Sequence, residues 1–88
     1  DNTEDIGVRG VTYTNLHVRR RPSTRASILA TTEWGAEFVL LGRTRQAGID
    51  QWYHVRYTTP DNRTITGWVA AEWIQITSPI DVDATPIR

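Results

Sequence analysis

Short apolar runs alternate with turn residues along the whole middle of the chain. The runs are "VTYT", "LHV", "SILATT", "EFVLLGRTR", "QWYHVRY", "TITGWV" and "IQIT". They are rich in Val, Ile, Thr, Tyr and Trp and are broken by Gly, Pro, Asn and Asp, which is the punctuation of short β-strands. "QWYHVRY" alternates cleanly: Tyr53, Val55 and Tyr57 share one face, and Trp52, His54 and Arg56 share the other. Leu16 and Val18 likewise fall on one strand face. "TTPDNR" predicts a tight turn, and "AAEW" predicts a single helical turn. No run of ten residues shows the three-and-four spacing of an amphipathic helix. The pattern predicts an all-β domain, and a core of this size fits a small barrel better than a sandwich.

Two ends lie outside this pattern. Residues 1–10 are polar and acidic, and residues 78–88 carry two prolines and two aspartates; both read as linkers around a folded core at residues 11–77. The chain has 88 residues, begins with Asp1 and contains no Met, so it reads as one small module of a longer protein.

Composition narrows the function more by exclusion than by assertion. There is no Cys, which removes disulfides, thiolate nucleophiles and Cys-ligated zinc. Ten acidic residues balance ten basic ones, all of them Arg, so the whole-domain basic footprint of a nucleic-acid binder is missing. The absence of Lys reflects composition bias or a preference for heat-tolerant ion pairs. No apolar run approaches the length of a membrane span.

Nothing in the residues assembles a catalytic set. His54 near Asp50 can be drawn as an oriented base, but a surface strand residue beside a loop acid is the simpler reading. His17 and His54 lack a third metal ligand. Glu33 and Glu37 flank the "WGA" turn and read as solvated. No Gly-rich phosphate loop or cofactor motif is present. The expectation is a protein that is not an enzyme, with no metal and no cofactor.

Taken in order and spacing, Leu16, Val18, Arg19, Pro22, Ser23, Gly35, Trp52, Tyr53, Val55, Gly67, Trp68 and Val69 carry a resemblance. Together they resemble the bacterial SH3 family (SH3b, or SH3 type 3) over roughly residues 11–77. The resemblance implies a small SH3-like barrel of five to six short antiparallel strands with one short helical turn near the C-terminal end. It also implies a non-catalytic binding module of a larger, extracytoplasmic or cell-envelope protein, with peptidoglycan or its peptide cross-bridges as ligand. The closing "GWVAAEWI" is similar to the last segment of eukaryotic SH3 domains, in which Trp73 stands at a groove Tyr; Trp52, further upstream, resembles the first residue of their groove Trp-Trp pair. Ala70 replaces the Pro of that segment, which argues against polyproline recognition. His17 replaces the family's Asn, and Arg20 and Arg21 replace its small residues.

The candidate groove is therefore Trp52, Trp73 and Tyr13, with Arg19, Arg20, Arg21, Trp34 and His54 as its rim. Flat rings give a shallow peptide or glycan site apolar area at low entropic cost. Trp68, between Gly67 and Val69, reads as a packing residue. Trp34 sits in a turn, where it either covers one end of the barrel or forms a partner surface.

From Leu16 to Arg45 there are six Arg against two Glu, a local excess of four. Strand phase turns Val18 inward and would put Arg20 on the core face, which a charge resists. The strand is therefore expected to end near Arg19, with Pro22 opening a long loop over residues 19–27. Its arginines read as solvated. A structural or protein–protein module that spaces or regulates neighbouring domains of the same chain is the alternative function, and nucleic-acid binding through the arginine loop the weaker third.

Overall fold

A computed structural model describes residues 7–45, 51–80 and 85–87. It holds seven short strands, β1 (Arg9–Thr12), β2 (Leu16–Arg19), β3 (Ile28–Thr32), β4 (Glu37–Arg43), β5 (Trp52–Thr58), β6 (Thr64–Ala70) and β7 (Ile74–Ile76). A one-turn 3-10 helix, Ala71–Trp73, joins β6 to β7. All strand pairings are antiparallel, in the order β3-β2-β6-β5-β4-β1-β7. The seven apolar runs are the seven strands. The resemblance alone implied five or six; the short β1 and β7 pair with each other beyond β4 and make up the difference.

Each strand forms where its alternation can bury one face. On β5, Tyr53, Val55 and Tyr57 are buried while Trp52, His54 and Arg56 are half-buried on the outer face. Leu16 and Val18 point inward from β2, and Phe38 and Leu40 from β4. These residues close into one core with Val8, Val69, Ala71 and Ile74. Phe38 and Tyr57 meet with ring centroids 5.5 Å apart, a favourable tilted contact. The register of β4 on β5 slips between Leu40 and Gly42, and this bulge lets Leu41 be buried as well as Leu40.

β2 ends at Arg19 and Arg20 is exposed, as the cost of turning a charge inward requires. The seam between β2 and β6 depends on Gly67. A Cβ there would lie 2.7 Å from the Arg19 carbonyl oxygen and 2.7 Å from Val18 Cγ1, so no other residue fits without moving the backbone.

The ordered chain runs wider than residues 11–77. Val8 is fully buried, and β1 begins at Arg9. The alternation there escapes a reading of apolar side chains because its second inward position is Gly10, which shows none. Past residue 77, Ser78 Oγ accepts the Arg9 N–H at 3.0 Å, and Arg43 N–H donates to the Pro86 carbonyl at 3.0 Å. Thr85 is buried. Residues 1–6, residues 46–50 with Asp50, residues 81–84 and Arg88 lie outside the described residues. Among the described residues, no helix is long and apolar enough to cross a membrane.

Candidate functional site

β5 and β6 run in register from Trp52↔Ala70 to Thr58↔Thr64, so Trp52 and Ala70 stand side by side on the outer face. Trp52 is fixed from behind. Its N–H donates to Thr44 Oγ1 at 2.9 Å, and its carbonyl accepts the Thr44 N–H at 2.9 Å. Immediately after Ala70 the chain turns through the 3-10 helix, which lifts Glu72 and Trp73 above the sheet.

The result is a groove of about 320 Å3 in which Trp52 and Trp73 face the same space. Ala70 lines it with them. Its opposite side is made by β2 and its flanking loops: Asn15 and Leu16 at the start of the strand, His17 and Arg19 along it, and Thr24 from the loop that follows. Arg19, held by its bond to the Ala26 carbonyl, and the exposed Glu72 give this groove one cation and one carboxylate beside two indole rings. The arrangement suits an extended polar ligand with both apolar and charged groups.

Tyr13 acts on the groove through Trp73. Its ring meets the Trp73 ring edge-on, with centroids 6.1 Å apart at 66°. Its backbone N–H donates to the Trp73 carbonyl at 3.2 Å, and its hydroxyl donates to the Glu72 carbonyl. Tyr13 is a buttress for the turn that carries Trp73, and it does not itself line the groove. The three candidate aromatics thus form one unit, two as walls and one as support.

The candidate rim divides. Arg19 lines the groove, and its Nη1 also donates to the Ala26 carbonyl at 3.0 Å, tying the long loop to β2. Arg20 and Arg21 line a separate cleft on that loop. His54 lies on the outer face of β5 against Trp68, ring centroids 4.8 Å apart, and is not a groove residue. Trp34 is carried elsewhere, on the β3–β4 turn, where Gly35 adopts φ 87° and Ala36 N–H closes back to the Glu33 carbonyl at 3.1 Å. Trp34 is 72% exposed and lines a second, larger depression of about 450 Å3 with Glu33, Glu37 and Pro60. No residue lines both.

Reading the sequence missed Thr14, Asn15 and Glu72 as groove residues, while Thr24 belongs to the loop over residues 19–27 expected to rim the groove. Glu72 had a usable signal, since it sits between Ala71 and Trp73 in the predicted helical turn. Asn15 had none: it lines the groove and its Oδ1 also accepts the Trp34 N–H at 3.1 Å, a link made only by the fold. His17, read as a replacement for the family's Asn and weighed as a metal ligand, lines the groove with its Nδ1 3.0 Å from Thr31 Oγ1.

No curated protein and no solved structure matches the chain. The family model described as "Bacterial SH3 domain" matches residues 14–75. That stretch carries β2 through β6 whole and the first two residues of β7, and it contains every residue that lines the aromatic groove. With more than half of its length matched and the all-β barrel in place, the chain belongs to the bacterial SH3 domain family, a family of binding modules.

Proposed function

We propose that this domain is a non-catalytic targeting module of a larger bacterial protein, and that it takes a cell-envelope peptide or glycan, of the peptidoglycan class, into the groove between Trp52 and Trp73. The observation that carries this reading is the convergence of those two indoles, from β5 and from the 3-10 turn, on one space flanked by Arg19 and Glu72. Stem and bridge peptides of a wall polymer are extended and bear both carboxylates and amines. They match a groove with two rings, one cation and one carboxylate. Ala70 in the groove wall leaves it without the proline ring that would stack a polyproline ligand.

The test is retention on purified, insoluble peptidoglycan. Wild type is expected to co-sediment, and Trp52→Ala and Trp73→Ala to lose retention by about ten-fold or more each while keeping the wild-type circular dichroism, as expected of central aromatic anchors. Equal retention of folded variants would reject the groove as the site.

A second reading has its own observation. Trp34 is the most exposed large apolar residue among those described, and it lies in a depression that shares no lining residue with the groove. A domain that docks on a neighbouring domain of the same chain would use such a ring. In that case Trp34→Ala weakens the association with the adjoining domain and leaves wall retention unchanged.

A further inference from the structure

The loop between β2 and β3 is a built platform for positive charge. Its base is closed by Arg20 N–H donating to the Ser27 carbonyl at 2.9 Å. Two turns follow inside it: Ser23 N–H donates to the Arg21 carbonyl at 2.8 Å, and Ala26 N–H to the Ser23 carbonyl at 3.1 Å. Ser23 Oγ accepts the Arg25 N–H at 3.1 Å. These bonds use the loop's own backbone and one of its hydroxyls, and they leave three guanidinium groups, those of Arg20, Arg21 and Arg25, around a cleft of about 260 Å3.

Three features make this cleft more than a solvated run. All three arginines are exposed, and among the described residues none forms an ion pair. From Arg19 to Thr32 the sequence contains no acidic residue at all. Three like charges within six residues repel one another, and an anion bound among them lowers that repulsion. A guanidinium is a planar fork of donors with no acceptor. One fork satisfies a carboxylate, whereas three forks around one cleft match an anion with three or four outward oxygens.

We infer that residues 20–27 form a second binding site, separate from the aromatic groove, for a phosphate-class oxyanion, free or borne on a polymer. Arg20, Arg21 and Arg25 supply the donors, and the turns at Ser23 and Ala26 hold their backbone in place. Thr24 of the same loop, and Arg19 at the end of β2, line the groove instead, so the loop borders both sites.

Heteronuclear NMR of the whole 88-residue chain tests this with sodium phosphate against sodium chloride of equal ionic strength at neutral pH. Expected are saturable shifts confined to the amides of residues 20–27, weakened about ten-fold or more in Arg20→Gln/Arg21→Gln/Arg25→Gln and partly in Arg25→Gln alone. The response is expected to survive in Trp73→Ala, which separates this site from the groove; its loss there would overturn the inference. Shifts that rise linearly without saturating, or that persist in the triple variant, would also overturn it. A polyglycerol phosphate and a short oligonucleotide, compared at equal phosphate, identify the source. Binding of these polymers with no response to inorganic phosphate means diffuse attraction and would reject a built site.

Discussion

The two hairpins that meet at the β2–β6 seam are built in opposite ways. β5 and β6 keep one register through seven pairs and reverse in a five-residue loop. That loop is saturated: Thr59 N–H donates to the Arg63 carbonyl, Asn62 N–H to the Thr59 carbonyl, and Thr59 Oγ1 accepts the Arg63 N–H. β2 and β3 pair over four residues, slip register after Val18, and are joined by an eight-residue loop that carries most of the local charge. The first hairpin supplies Trp52 and Ala70 from rigid positions. The second supplies Arg19 from the end of β2 and Thr24 from the eight-residue loop that follows. One wall of the groove thus stands on a long, regular ladder and the other on a short, bulged one.

That contrast can be broken first at the seam. Gly67→Val puts side-chain atoms against the Arg19 carbonyl and Val18, and it should cost about 3 kcal/mol or more, read as a fall in the urea midpoint. A cost below about 1 kcal/mol would mean that the β2–β3 hairpin moves freely on β6. Next comes the tight loop. Asn62 holds φ 70°, so Asn62→Ala should lose about 1 kcal/mol while Asn62→Gly stays near wild type, measured in the same denaturation series. The smallest effect belongs to the long loop. Ser23→Ala removes only the acceptor for the Arg25 N–H and should shift stability by less than about 0.5 kcal/mol, but it should weaken phosphate binding several-fold by loosening the platform. A larger stability loss there than at Asn62 would erase the distinction between the hairpins.

Most of the fold was legible because burial follows period two on strands. Tyr53, Val55 and Tyr57 announce their face, and the cost of a buried charge ends β2 at Arg19. What the pattern hid has specific causes. Val8 joins the core from a segment whose next inward residue is a glycine. Leu41 is buried through a bulge, and a bulge breaks the alternation by which it could be read. At the site, Trp52 and Trp73 could be paired only through the resemblance, because nothing in the spacing of residues 52 and 73 says that β6 returns one beside the other. Tyr13 could be placed near them but not given its role, which rests on a hydroxyl reaching the Glu72 carbonyl across 59 positions of sequence. Trp34 and His54 were grouped with the rim by exposure and strand face; the β3–β4 turn carries one to a different depression, and Trp68 occupies the other.

The pairing of the first strand with the last gives the barrel a mechanical character. β1 and β7 are antiparallel, with Gly10 opposite Ile76 and Thr12 opposite Ile74, so Arg9 and Ile76 lie at the same end of the ladder. A pull on the chain from both sides therefore unzips this ladder one rung at a time, where a shearing pull would load all its bonds at once. The last rung adjoins the Tyr13 N–H bond to the Trp73 carbonyl. A pull applied at both sides would load that bond only after the three β1–β7 pairs before it have parted.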